Sequence, residues 1–546
     1  MSIPFIDAVL SYLRGDGAVI LPEMELTLFG LGILMIGFSA DEAAEENWFF
    51  RLIFKDFNGK AAFVATAFAG FSLWSLRGRI AAGGGVVVGF HETAVVDGFV
   101  LFFGILFLAS TALVILLSVK YLEIEKEQEG EYYALLLFAC VGMMLMASGI
   151  DLIVMFLGLE TMALSFYILT GFLRREKRSN EAALKYVLLG AFSSGILAYG
   201  FSLLYGLSAS TNIGSIGSAL GQRNQLVGAI VRSQQPGVAG EQMRQLIAAR
   251  MPMALHLDPF TLQLLPILAF VLVLVGLLFK VAAVPFHQWA PDVYEGAPTP
   301  VTAYISIASK TASFALLLRL LLVVFAVSHT TWIYLIGGLA IASLTWGNLA
   351  ALTQTNVKRL LAYSSISHVG YILLGFLAWD ESTGTLTQTA STGIAYYLFA
   401  YVFMTAGAFA VVIVLRQKGL IGEELDDLNG LYQRSPAAAV LLLIFMLSLA
   451  GIPPTAGFMG KYFIFLSLIE SHHPLLALFA VLYIVPALYY YFRIVAHAWL
   501  KQPGEAPRPV MTSAQAIALG VTVFVSLAAG LYPEPFTKLA HYAFGR

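Results

Sequence analysis

The sequence has little of what soluble redox enzymes and nucleic-acid-binding proteins depend on. Its 546 residues contain one cysteine, Cys140, set in an apolar run. A disulfide takes a pair of thiols and an iron–sulfur cluster normally a set of four, so this chain is expected to hold neither. Charged residues make up 12% of the chain and the formal net charge is -2, which leaves no broad basic face of the kind nucleic acid requires. There is no P-loop and no glycine fingerprint between a strand and a helix; Gly83-Gly84-Gly85 falls in a loop without that context. No cofactor site and no metal site is expected here, so any redox chemistry must belong to a partner. The opening MSIPFIDAVLSYLRGDG lacks a basic leader followed by an apolar core and a small-residue cleavage site, and reads as retained.

What is abundant is apolar sequence. Apolar residues make up 59% of the chain and the mean hydropathy is +0.81, the signature of a polytopic membrane protein. A spanning helix needs about 20 mostly apolar residues. By that measure spans are predicted near 20–38, 61–76, 94–119, 132–148, 149–172, 182–207, 262–290, 300–325, 332–352, 359–378, 388–415, 436–470, 475–499 and 512–532, roughly fourteen in all. The run Arg174, Arg175, Lys177, Arg178 is the strongest positive-inside cue. On the same side fall Arg51, Lys55, Lys60, Lys120, Lys126, Lys358, Arg359, Arg416, Lys418, Arg434, Lys501 and Arg508, which places both termini outside. The stretch 208–256, rich in Gly, Gln and Ser, carries Arg223, Arg232, Arg244 and Arg250 and reads as a long extramembrane loop on the opposite side.

The expected fold is all-α, with two inverted five-helix repeats, each containing a broken helix. Residues 132–325 and 326–500 form the two repeats, broken at Pro285 and at Pro453-Pro454. Because five is odd, the second repeat enters the membrane from the opposite face, as in many transporters whose interrupted helices flank the binding site. Residues 1–131 contribute three further helices and residues 501–546 one.

Charges inside these spans are the candidate functional groups. At about 1.5 Å of rise per residue, Lys310 and Glu160 lie near the midplane of a core about 30 Å thick. Lys280 and Lys461 each sit beside a proline break, and Lys185 lies about one turn from a helix end, where it can snorkel. Isolated intramembrane charges mark pathways by default; the competing reading is a structural ion pair between helices. His287 and His368 titrate in the range a proton relay uses, against a competing reading as hydrogen-bonded structural histidines. Arg319 and Arg493 read as interface anchors, Asp97, Asp151 and Asp258 as solvated or capping groups, and the many Phe and Tyr residues as packing. One mechanism uses these parts together. Burial favours a neutral lysine and a neighbouring carboxylate favours the charged form, so a lysine whose acidic partner comes and goes is a proton switch. Glu160 is the only acid this deep in the first repeat, and so the candidate partner of Lys280.

The segments FKVAAVPFHQWAPDVYEGAPTPVTAYISIASK (279–310), LGLETMALSFYILTGF, ALKYVLLGAFSSG, KRLLAYSSISHVGYILLG and LAGIPPTAGFMGKYFIF resemble the antiporter-like N subunits of proton-pumping NADH–quinone oxidoreductase, respiratory complex I. Related L and M subunits look similar around the Lys–Pro–His–Trp region, but PDVYEGAPTPVTA and GIPPTAGFMGK are closer to N. The resemblance covers about 130–500. It implies that Glu160 and Lys280 are the paired residues of the fifth and broken seventh helices, Lys310 the connecting lysine, Lys461 the terminal one and Lys185 a further lysine, all serving proton transfer. It also implies a bacterial inner-membrane complex in which NADH, FMN, iron–sulfur clusters and quinone are held by other membrane-arm and peripheral-arm subunits, with antiporter-like neighbours. A subunit of a multisubunit cation/proton antiporter is the alternative, which co-purification with flavin and iron–sulfur subunits would separate. A passive membrane scaffold would leave pumping intact in Lys280→Ala and Glu160→Ala, and an independent solute transporter would show uptake by the isolated chain.

Overall fold

Long apolar runs fold as helices because the bilayer offers backbone amides and carbonyls no partner but one another. The computed structural model describes residues 11–12, 15–46, 57–127, 129–250, 259–417, 422–503 and 508–545. Arg51, Lys55, Lys418, Asp258 and most of the opening segment lie outside those residues. In chain order the structure has α1 (Leu21–Glu46), α2 (Phe57–Ser75), α3 (Arg77–Ala82), a hairpin of β1 (Val86–Gly89) and β2 (Ala94–Asp97), α4 (Gly98–Glu125), α5 (Glu129–Ser148) and α6 (Leu152–Thr170). There follow α7 (Lys177–Ser208), α8 (Ile213–Ser233), α9 (Val238–Arg250), α10 (Pro259–Val281) and α11 (Trp289–Gly296). After these comes α12 (Thr299–Val324), a continuous span with two π-helical turns. Next are α13 (His329–Ala351), α14 (Val357–Gly375), a hairpin of β3 (Trp379–Asp380) and β4 (Thr385–Leu386), and α15 (Gln388–Leu415). The chain closes with α16 (Pro436–Ala450), α17 (Ala456–Glu470), α18 (Pro474–Leu482), α19 (Ile484–Leu500), α20 (Ser513–Leu531) and α21 (Glu534–Tyr542).

Among the described residues, 11 helical stretches are long and apolar enough to cross a membrane. The other expected spans differ for physical reasons. α2 and α14 are each 19 residues long but carry polar groups: Asn58 and Lys60 in one, Lys358, Arg359, His368 and a series of serines in the other. The third is broken into α16 and α17. Two small hairpins interrupt the expected all-α architecture. Asp97, at the end of β2, caps α4 by accepting from the Val100 amide at 2.8 Å.

Both anticipated breaks are present. α10 ends at Val281, Ala282 takes φ 60°, and Pro285 has no amide to continue the ladder. α16 ends at Gly451, φ 82°, a backbone conformation that favours glycine. Pro453 and Pro454 then leave the carbonyls of Leu449 and Ala450, four residues earlier, without intrahelical donors. Where lipid supplies no hydrophobic drive between helices, close packing does, and small residues permit it. A Cβ on Gly158 would stand 2.8 Å from the Gly142 carbonyl where α6 crosses α5, and one on Gly370 would stand 2.8 Å from the Ala340 carbonyl where α14 crosses α13.

The stretch 208–256 is not an irregular loop. Most of it is the helical pair α8–α9, and α8 buries Ile213, Ile216, Leu220, Val227 and Ile230 on one stripe. That period is hidden in the sequence among glycines, serines and glutamines. α10 contains Pro266, which cannot donate to the Leu262 carbonyl; Arg223 of α8 does so instead, at 2.8 Å. The pair lies on the same face as both hairpins: Asn212 bridges to Asp151, Gly149 to Ala94, and His329 meets Glu381 at 2.9 Å.

Candidate functional site: a buried row of lysines

Lys280 closes the last turn of α10 and is 3% exposed. Its Nζ donates to the Tyr167 hydroxyl at 3.3 Å and lies 5.7 Å from that ring's centre. Tyr167 follows Glu160 by two helical turns on α6, which puts both on one face. Glu160 is half-buried, its Oε1 has no hydrogen-bond partner, and its charge acts on both Lys280 and Tyr167. Among the described residues no ion pair joins Glu160 to Lys280; the direct partner is the tyrosine hydroxyl, which carries no counter-charge. An aromatic stack walls this site: Tyr167 meets Tyr186 edge-on at 4.8 Å, and Tyr186 stacks on Trp289 at 4.7 Å. The Trp289 indole donates to the Phe279 carbonyl at 2.8 Å, at the frayed end of α10.

Lys310 follows the π-helical turn Ile305–Ser309 in α12 and is 2% exposed. Such turns widen a helix and recur at functional sites. Its Nζ donates to the Ser365 hydroxyl of α14. Ser365 also accepts from the Tyr401 hydroxyl at 2.9 Å, and Tyr401 in turn meets Ser306 at 2.9 Å. One turn beyond Ser365 on α14 stands His368. It hydrogen-bonds the Tyr397 hydroxyl through Nδ1 at 2.7 Å and the Tyr491 hydroxyl through Nε2 at 3.2 Å, and the charges of Lys310 and Lys461 both act on it.

Lys461, on α17, is 3% exposed. Its Nζ donates to the carbonyls of Ala450 at 2.8 Å and Leu449 at 3.3 Å. These are the two carbonyls that Pro453 and Pro454 strand, at the negative end of α16. The amine also lies 4.8 Å from the centre of the Tyr371 ring, which stacks with Tyr397 at 6.4 Å. Lys310 at the end of the first half, and His368 and Lys461 in the second, therefore form three polar islands separated by tyrosine rings.

Two candidates stand apart. His287, in the first break, meets Trp346 edge-on at 6.0 Å and has an unpartnered Nδ1; among the described residues no hydrogen bond joins it to a lysine of the row. Lys185 does not snorkel alone. It pairs with Asp292 and Glu181, each at 2.8 Å, in a surface pocket of about 220 Å³ that Arg178, Glu295 and Arg359 also line. Burial pushes the Asp292 carboxyl up, but hydrogen bonds from Lys185 and Arg359 outweigh it and hold the group below the usual carboxylate range.

Several groups differ from their sequence reading. Lys358, taken as a loop cation, is 2% exposed and pairs with Glu423 at 2.6 Å while donating to the Ala297 carbonyl at 2.9 Å. Arg416 pairs with Glu125 at 2.6 Å. Arg319 turns inward to Asp97 at 3.1 Å and to the Ala147 carbonyl, and Arg493 donates to the carbonyls of Leu352 and Gln354. Tyr167, Tyr397, Tyr401 and Tyr491, read as packing, hydrogen-bond Lys280, His368 and Ser365 instead; their position after Glu160 or beside deep polar residues was the available signal. Glu23 is buried in α1, and the neighbouring Glu25 accepts from Ser72 at 2.7 Å. Neither had been singled out, because both fall where a span begins.

The family model "NADH:quinone oxidoreductase/Mrp antiporter, TM" matches residues 147–485. The chain is 48% identical to NADH-quinone oxidoreductase subunit N 2 of Solibacter usitatus, covering 98% of this chain and 99% of the relative. It is 46% identical to subunit N 1 of Koribacter versatilis, covering 97% and 96% respectively. A chain of Thermus thermophilus respiratory complex I superposes with a TM-score of 0.72 at 30% identity, over 95% of this chain and all of that one. A chain of the Mrp complex from Dietzia reaches 0.73 at 22% identity, over 95% and 96%, a likeness of fold.

Proposed function

This chain belongs to the NADH:quinone oxidoreductase/Mrp antiporter family, as an antiporter-like subunit N of NADH-quinone oxidoreductase, and on that premise we propose that it passes protons along Glu160, Lys280, Lys310 and Lys461. The observation that carries the reading is how these amines are held. Lys280, Lys310 and Lys461 are each at most 3% exposed, and among the described residues none contacts a carboxylate within ion-pair distance. A structural ion pair would place a carboxylate against each amine. An ammonium held by hydroxyls or carbonyls in a low-dielectric interior is instead a charge ready to be discharged.

Glu160 acts on Lys280 through space and, as it gains or loses charge, sets whether that amine keeps its proton. Lys310 and His368 carry the proton between the halves, with the tyrosine and serine hydroxyls as acceptors and donors, and Lys461 ends the row. His287, with its unpartnered ring nitrogen, and Lys185, in the surface pocket, are further relay groups in this reading. Residues 132–325 and 326–500 act as inverted repeats, a reading supported by the paired helix breaks and the paired glycine crossings. Residues 1–131 and 501–546 flank them.

The chain carries no complete active site in this proposal. NADH, FMN, the iron–sulfur clusters and quinone are held by other membrane-arm and peripheral-arm subunits, in keeping with a single, buried Cys140. The complex sits in a bacterial cytoplasmic membrane, with both termini of this chain outside. The test is the whole complex carrying Lys280→Ala, with electron transfer and proton pumping measured together. Loss of both, or of pumping alone, is expected; full activity in both overturns the proposal.

A further inference from the structure

The α8–α9 pair has no place in the proton path, yet its chemistry is distinctive. Between Ile213 and Arg250 it carries Arg223, Arg232, Arg244 and Arg250 against a single acid, Glu241. Arg223 is committed to the carbonyl freed by Pro266. Arg232 is exposed and, among the described residues, makes no ion pair; its Nε reaches back to the Gly228 carbonyl at 3.1 Å. That contact holds the guanidinium against Gly228, one of the residues lining a cavity of about 390 Å³ between α8, α10 and the start of α13. The cavity has two characters. Asn224, Gln263 and Thr330 make its polar part, and Val227, Ile267 and Phe270 its apolar part. It lies at the starts of two membrane-length stretches, Leu262–Val281 and Ala326–Ala351, and Val231, Val238 and Leu246 are exposed on the same basic pair.

We propose that this groove binds an anionic phospholipid of the surrounding bilayer, with its phosphate at Arg232 and an acyl chain along Ile267 and Phe270. Three features select that occupant. The excess of arginine favours an anionic headgroup over a zwitterionic one. The change from polar rim to apolar floor follows a lipid from headgroup to chain. Basic helices with exposed apolar residues lie in the headgroup layer. The inference requires only that the chain spans a membrane, so it stands or falls apart from the proton path.

The test uses the whole complex in vesicles containing either phosphatidylglycerol or phosphatidylcholine that bears a photoactivatable group on the acyl chain, with labelled peptides mapped. Phosphatidylglycerol is expected to label residues 224–231 and 263–270, and Arg232→Glu to reduce that label by about fivefold or more, with Arg232→Lys close to the natural chain. Equal labelling by the two lipids, no label in those peptides, or label unchanged in Arg232→Glu overturns the proposal. The wild-type mapping decides the matter even if Arg232→Glu does not assemble.

Discussion

Lys280 and Lys461 occupy matching places in the two halves, each beside a proline break, yet they are held by opposite means. Lys280 donates to one side-chain hydroxyl, that of Tyr167, and has a carboxylate, Glu160, near enough to act on it but not in contact. Lys461 donates to two backbone carbonyls that cannot move without unwinding α16. Side chains can change partner and backbone cannot. In the proposed proton path, the first lysine is the one a neighbour switches, and the second, in a fixed and weakly negative cage, is the last stop. The halves are also fastened together. Lys358 of α14 holds both Glu423 and the Ala297 carbonyl, and Glu423 accepts from Thr299, so the start of α12 and the second half share one buried ion pair.

Four measurements break or sharpen that contrast. The largest effect is expected from Lys461→Arg. An arginine keeps the carbonyl cage satisfied but never releases its proton, so pumping by the whole complex should fall by about tenfold or more while its thermal stability is kept. Normal pumping, read from a pH-sensitive dye in inverted vesicles, would mean that a fixed positive charge is all the site requires. Lys358→Ala comes next. It leaves Glu423 buried without its cation and should destabilise the chain by about 3–5 kcal/mol, whereas Lys358→Met with Glu423→Gln should recover much of that. Thermal unfolding of the purified complex reads both, and equal losses in the two variants would show that the pair does not fasten the halves.

Glu160→Gln sits third, with a loss of pumping of about threefold to tenfold, and no further loss when added to Lys280→Ala, since one acts through the other. Additive losses in that cycle would detach Glu160 from Lys280. The smallest effect is that of Asp292→Asn, below about 1 kcal/mol, because Lys185 keeps Glu181 and Arg359 keeps Glu295. The Asp292 carboxyl is held below its ordinary range. Its contribution is therefore complete above the unfolded carboxylate value and fades only as pH falls through the folded one. Stability measured between pH 6 and 8 should not separate Asp292→Asn from the natural chain by slope; a different slope there would mean the pocket titrates with the row.

Much of this was legible before any coordinates. The spans followed from hydropathy, and the breaks from prolines. That Lys280 and Lys461 sit beside those breaks followed from counting residues along a helix. Even the cage around Lys461 was within reach, since Pro453 and Pro454 each name the carbonyl they strand, four residues back. Other features were not visible. The helical period of 213–233 was masked by its polar composition. Lys358 looked like a loop cation because it lies at the very start of its helix.

The division has one physical cause. What a residue does along its own helix depends on neighbours a few positions away, so the apolar spans and their breaks are written locally, and the sequence alone determined them. Which side chains meet across the bundle depends on how helices dock. Lys280 with Tyr167, Lys310 with Ser365, His368 with Tyr397 and Tyr491, and Lys358 with Glu423 are pairings between distant segments. Only the tertiary structure decided them, because packing, and no local preference, chooses which partner a buried amine finds.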